Sequence, residues 1–175
     1  MYNHNHIVNF VQHIKCMKKL NIEIETHGCK LNFADSQSIA KKFYSAGHNV
    51  FSDNKTGQRD IYILNSCTVT HVADSKARQS IRKVKRNNPK ALTIMTGCYA
   101  ERDKEKIKEI NEVDLVITNK EKKDILEKVY DYLNEDLSEI PELDTYPLIG
   151  RSRASIKIQE GCNQVCSYCI IPFVR

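Results

Sequence analysis

Ile61-Tyr62-Ile63-Leu64-Asn65-Ser66-Cys67 is the stretch on which the fold turns. Its continuous apolar run fits a strand buried on both faces, and such strands belong to parallel sheets covered by helices. Towards the amino terminus, Leu20, Ile22 and Ile24 alternate with polar residues, a strand that runs into Thr26-His27-Gly28-Cys29. Between the two strands, Asp35 or Ser36 can cap a helix with Ile39, Ala40 and Phe43 on one face, closed by Gly47. A short strand over 49–52 and a turn over 54–57 complete that connection. On the carboxyl side a helix over 72–87 carries Ala73, Ala77, Ile81 and Val84 as its inner stripe, with Pro89 ending it. A buried-type strand over 91–95 leads to Thr96-Gly97-Cys98. Then come a charged helix from about Glu101, a strand over 114–118, and a helix capped by Asn119 whose inner face is Ile125, Leu126, Val129 and Leu133. This alternation predicts an α/β fold: a parallel sheet of four to five strands, helices on both faces and right-handed crossovers.

The 175 residues suffice for one domain with a full core. Hydrophobic residues at 41% and charged ones at 28% are ordinary for a globular chain. Lys plus Arg number 27 against 22 Asp plus Glu, and the net charge of +5 permits a nucleic-acid partner without demanding one. No apolar run reaches membrane-spanning length. The cysteines number seven, an odd count with no secretory signal before them, which favours metal binding in a reducing cytoplasm over a disulfide framework. Residues 1–16, with His4, His6 and His13, read as a poorly ordered extension before a natural start at Met17. The α/β domain occupies 17–133. Residues 134–150, rich in acids and holding Pro141 and Pro147, read as a surface linker. Residues 151–175 begin a second domain: a strand over 151–159, with Ile156 and Ile158 alternating, delivers a cysteine-rich loop.

That loop is Gly161-Cys162-Asn163-Gln164-Val165-Cys166-Ser167-Tyr168-Cys169. Three thiolates so closely spaced can surround one metal centre. A structural zinc site wants four ligands, and a ferredoxin cluster usually takes four cysteines. Three on a [4Fe–4S] cube leave one iron open to a substrate. A second set is scattered in sequence but not in the predicted fold: Cys29, Cys67 and Cys98 each follow a strand by one to three residues. The carboxyl ends of parallel strands share one edge, where open α/β sheets bind ligands. Gly28 and Gly97 beside two of these cysteines would let backbone approach a bulky ligand. Single buried cysteines are usually small core residues, but three that all finish strands point to a shared cluster.

The spacing of Cys162, Cys166 and Cys169, with Tyr168 before the last, resembles the radical S-adenosylmethionine enzymes. In that family the free iron chelates the methionine part of the cofactor, and one electron cleaves it to a 5′-deoxyadenosyl radical. The resemblance narrows with Thr26-His27-Gly28-Cys29-Lys30-Leu31-Asn32, Asn65-Ser66-Cys67-Thr68-Val69-Thr70, Thr96-Gly97-Cys98-Tyr99-Ala100 and Gln159-Glu160-Gly161-Cys162. Together they resemble the methylthiotransferases, most closely the branch acting on N6-threonylcarbamoyladenosine beside the tRNA anticodon. The isopentenyladenosine and ribosomal-protein branches are the near alternatives. The resemblance implies two [4Fe–4S] clusters and S-adenosyl-L-methionine, a tRNA partner, a cytoplasmic setting, and transfer of a methylthio group to carbon-2 of the adenine. It implies that Cys162, Cys166 and Cys169 hold the radical-generating cluster, and Cys29, Cys67 and Cys98 an auxiliary one. Sulfur and electron donors are not indicated. The family's radical barrel and carboxyl-terminal module would lie almost wholly beyond residue 175. Residues 154–175 are therefore expected to be loosely held, with Ile170, Ile171, Phe173 and Val174 lacking a core and the second cluster labile.

Lys76, Arg78, Arg82, Lys83, Lys85, Arg86 and Lys90 crowd one segment, nearly all of it helix. They are either a phosphate-contacting face for tRNA or a solvated face. A zinc-dependent nucleic-acid-binding module using the same cysteines is the alternative to an enzyme. A flavodoxin-like nucleotide binder is disfavoured, since no glycine-rich phosphate loop is present.

Overall fold

The structure, a computed structural model, describes residues 19–52, 57–135 and 156–175. The expected extension over 1–16, most of the turn over 54–57 and nearly all of the linker lie outside the described residues. Strand β3 (Ile61–Ser66) forms the middle of a five-stranded parallel sheet, and all of its residues are buried. It is flanked by β1 (Asn21–Thr26) and β4 (Leu92–Gly97), with β2 (Asn49–Phe51) and β5 (Leu115–Ile117) outermost, in the order β2-β1-β3-β4-β5. In register, Ile24 of β1 faces Ile63 of β3, and Ile63 faces Ile94 of β4.

The unbroken apolar run of β3 exists because each face meets a different core. Ile61 and Ile63 join Ile22, Ile24 and Ile94 against α1 (Lys30–Ser45) and the last long helix of the domain, α5 (Ile125–Leu133). Tyr62 and Leu64, with Met95, pack on α2 (His71–Asn87) and on two short helices, α3 (Cys98–Arg102) and α4 (Lys104–Lys108). Full burial of each such side chain is worth roughly 1.5–3 kcal/mol. Strand β1 alternates because its second face carries carboxylates. Glu25 accepts hydrogen bonds there from the Tyr62 hydroxyl (2.5 Å) and the Ser80 hydroxyl (3.2 Å), and pairs with His27 Nε2 at 2.5 Å.

Burial works to raise the Glu25 carboxyl, but the hydrogen bonds from His27, Tyr62 and Ser80 and the charge on His27 outweigh it and hold it down to about 2. A carboxyl depressed in the folded state stabilises the fold above its ordinary range and loses that contribution as pH falls through the folded value. Glu25→Gln should therefore cost stability at neutral pH, with the gap to the wild type closing as pH falls from 4.5 towards 2. Urea denaturation across that range measures it, and a gap independent of pH would contradict this assignment.

Four local expectations are corrected. Helix α1 starts at Lys30, with Cys29 as its N-cap in extended conformation and no side-chain cap, so Asp35 and Ser36 lie buried inside the helix rather than at its start. The inner stripe of α2 holds Asp74 in place of Ala73, because the Asp74 carboxylate accepts from the Thr68 hydroxyl (2.7 Å) and Arg102 (2.6 Å). Asn119 does not cap α5: a 3-10 turn over Lys122–Asp124 precedes that helix, neither start has a side-chain cap, and Asn119 Nδ2 instead donates to the Val174 carbonyl (2.6 Å) while Glu121 accepts from Thr118 N and Oγ1. The strand expected over 151–159 does not form in its described part, 156–159. Ile156 and Ile158 pair with no neighbouring strand and stand exposed at 86% and 94%. Residues 151–155 lie outside the described residues. No helix among the described residues is long and apolar enough to cross a membrane.

Candidate metal centre

All five strands point the same way, so their carboxyl ends share one rim, and each of the three scattered cysteines stands on it. Cys29 ends the β1–α1 connection, Cys67 follows β3 directly, and Cys98 is the first residue of α3 after β4. The loops touch. Gly28, at φ +128°, lies so close to the β3–α2 loop that a Cβ on it would come within 2.7 Å of Cys67 Cβ. Gly97, at φ +100°, lies against β3, where a Cβ would come within 2.3 Å of the Ser66 carbonyl oxygen. Only glycine fits both positions.

A buried amide lattice holds the loops together. Asn65, at the end of β3, donates to the Asn32 carbonyl (2.8 Å) and Ser36 Oγ (2.9 Å), while Asn32 Nδ2 donates to the His27 carbonyl (3.0 Å). On the other side of the rim, Arg102 reaches back to the Thr68 carbonyl (3.2 Å) and Asp74 (2.6 Å), and Thr70 caps α2 by accepting from Ala73 N. Cys67 therefore sits in a loop fixed at both ends.

At the centre of the rim Asp35, its side chain 3% exposed, accepts from Lys122 (2.9 Å), Lys157 (3.1 Å) and Arg175 (2.6 Å). Arg175 also pairs with Glu160 (2.8 Å) and donates to Asn32 Oδ1. Burial works to raise the Asp35 carboxyl, but Lys122 and Arg175 outweigh it and hold it below the usual range. Burial pushes the Cys98 thiol up, while Arg175 and Lys122 beside it pull the other way. Arg175 and Val174 tie the end of the last segment to the domain. The Arg175 side chain is 1% exposed, Val174 is fully buried, and the one-turn helix α6 (Ile171–Val174) packs on α3. Phe173 remains outside, at 70% exposure.

The second cysteine set is differently placed. Cys162 and Cys166 are exposed and Cys169 half-buried, on a loop held by Cys169 N donating to the Cys166 carbonyl (3.0 Å) and Gln164 N donating to Cys162 Sγ (3.4 Å). Among the described residues no three His, Cys, Asp or Glu side chains are gathered closely enough to hold a metal ion. Cys29, Cys67 and Cys98 share a rim, and Cys162, Cys166 and Cys169 a loop. The residues fit such a group nevertheless: thiols on short loops at one rim, glycines where the backbone is tight, and two buried cations beside Cys98 to offset thiolate charge.

Sequence reasoning gave no site role to Asn32, Asp35, Asn65, Lys122 and Arg175, which build the rim. Asn32 and Asn65 stand in the stretches that carry the family resemblance, and their nearness to the cysteines was the only available signal. Residues 21–118 match the uncharacterized protein family UPF0004. The chain belongs to this family. Curated relatives of this UPF0004 member include the threonylcarbamoyladenosine tRNA methylthiotransferase MtaB of Aquifex aeolicus, 35% identical over 167 residues, covering 89% of this chain and 40% of the relative. The protein of the same name from Bacillus subtilis is 37% identical over 165 residues, covering 88% and 36%. The tRNA-2-methylthio-N(6)-dimethylallyladenosine synthase of Chloroherpeton thalassium is 32% identical over 177 residues, covering 94% and 39%. The chain thus spans about two fifths of the length of these relatives. A solved structure of a putative pilus assembly protein (cpaE) from Burkholderia thailandensis shares 13% identity at a TM-score of 0.41, covering 64% of this chain and 98% of that one.

Proposed function

We propose that this chain is the amino-terminal portion of a tRNA methylthiotransferase, acting at carbon-2 of N6-threonylcarbamoyladenosine at tRNA position 37. The observation that carries the proposal is the rim itself: Cys29, Cys67 and Cys98 end three adjoining connections of one parallel sheet, with the Cys162–Cys169 segment anchored to the same rim through Arg175. Names among the relatives support the reaction and the branch. When bound, two [4Fe–4S] clusters and S-adenosylmethionine supply the radical that activates an inert aromatic C–H and the sulfur and methyl that replace the hydrogen. The chain's own residues do the holding. Cys29, Cys67 and Cys98 bind the auxiliary cluster, and Cys162, Cys166 and Cys169 the radical-generating one. Lys122 and Arg175 offset thiolate charge at the rim, and Asp35 fixes both cations. The amide lattice of Asn32, Ser36 and Asn65 sets the distance between the Cys29 and Cys67 loops. A tRNA substrate is in keeping with a cytoplasmic setting.

Mass spectrometry of tRNA nucleosides from cells lacking the gene tests the proposal. The 2-methylthio form of threonylcarbamoyladenosine should disappear and its precursor accumulate. Accumulation of isopentenyladenosine instead would move the protein to the other branch that the relatives include. Unchanged nucleosides of both kinds would contradict a tRNA methylthiotransferase.

A further inference from the structure

We infer that RNA reaches the rim along a lysine-lined groove between α1 and the turn after β5, and that the basic helix α2 is not the RNA face. This rests on the tRNA substrate proposed above. The groove measures about 550 Å³ and is lined by Lys41, Lys42, Lys120, Lys122, Lys123 and Lys157, with Asp35 and Glu160 the acids that line it among the described residues. Both acids are already neutralised: Asp35 by Lys122, Lys157 and Arg175, and Glu160 by Lys157 and Arg175. Lys120 pairs only distantly with Glu101, at 3.8 Å, and Lys42 and Lys123 form no ion pair among the described residues. Lys42 and Lys123 therefore leave positive charge on this lining that no described carboxylate balances, which suits a phosphate backbone.

Position separates the two basic surfaces. Lys120, Lys122 and Lys123 follow the carboxyl end of β5, at the level of the cysteines, and Lys122 donates to Asn65 Oδ1 (3.3 Å) within the rim lattice. Helix α2 begins at the rim with His71 and runs back towards the opposite edge of the sheet. At 1.5 Å per residue, Arg82 is about 16 Å along that helix from its start. Its cations are also partly engaged: Arg78 donates to the Tyr99 hydroxyl (2.7 Å), Lys85 pairs with Asp114 (2.6 Å), and Arg82 lies 3.7 Å from Glu112. A strand of RNA that presents a base at the rim passes the groove lysines and leaves the far end of α2 in solvent.

The test is tRNA binding by the 175-residue chain across a salt series, comparing K42E/K123E with R82E/R86E. The groove variant should bind at least about tenfold more weakly, with the salt slope reduced by about 1 for each lysine removed. The helix variant should stay within about twofold of the wild type, and K42Q/K123Q should fall between the wild type and K42E/K123E. Unchanged melting temperatures identify the losses as binding effects. Equal losses for both charge reversals, or loss confined to R82E/R86E, would overturn the groove while leaving the tRNA substrate in place. A wild-type chain with no saturable, salt-dependent tRNA binding would overturn both.

Discussion

Asp35→Ala should lower the melting temperature of the chain by about 6–20 °C. Removing one partner of a buried ion pair costs about 3–5 kcal/mol, because the remaining charge is left in a poorly solvated place. At about 2–4 °C per kcal/mol for a chain of this size, that is a large shift. Here one carboxylate serves three cations, and two are themselves nearly buried: the Lys122 side chain is 11% exposed and that of Arg175 is 1%. Asp35→Asn keeps the shape but not the charge, and should fall between the wild type and the alanine variant. Because Asp35 also holds Lys157 and Arg175, the alanine variant should expose the 156–175 segment to trypsin, at Lys157, before the sheet domain unfolds. A drop under about 2 °C with unchanged cleavage would mean that Asp35 does not organise the rim.

Gly97→Ala should be more damaging than any other glycine replacement in the described sheet domain, at about 4 kcal/mol. The backbone there, φ +100° and ψ −166°, belongs to a region open essentially to glycine alone, which by itself costs on the order of 1–3 kcal/mol. An added Cβ would also meet the Ser66 carbonyl oxygen at 2.3 Å and Ser66 N at 2.7 Å, both backbone atoms of the neighbouring strand that cannot turn aside. Gly47, at φ +88° with nothing within 4 Å of its would-be Cβ, is the control, and Gly47→Ala should cost only about 1–2 kcal/mol. Denaturation midpoints for the two variants measure the difference, and equal losses would show that β4 can move away from β3 at the rim.

The sheet was legible because its strands announce themselves locally. The run from Ile61 to Leu64 has no polar interruption, and two of the polar positions of β1, Glu23 and Glu25, are carboxylates with partners. The convergence of Cys29, Cys67 and Cys98 followed from strand direction alone. What stayed hidden depends on distance along the chain. Asp35 looks like a helix cap, since Asp often is one, yet its partners lie 87, 122 and 140 residues away. The start of α1 was invisible because Cys29 caps it without any side-chain bond. Arg175 carried no signal at all, and its burial is a property of the assembled rim. The alternation of Ile156 and Ile158 did suggest a strand, but periodicity cannot supply a neighbour to pair with.

The proposed metal centre joins three residues distant in sequence, Cys29, Cys67 and Cys98. Iron and acid-labile sulfide, measured per chain after anaerobic reconstitution, test it most directly. Single alanine variants at Cys29, Cys67 and Cys98 should each lose the same share of both, and the triple variant should lose no more than any single one. Cys162→Ala should remove a separate share that adds to the first. Loss growing stepwise from single to triple variant, full iron and sulfide in any of the three single variants, or zinc in place of iron would contradict a shared iron–sulfur centre at this rim.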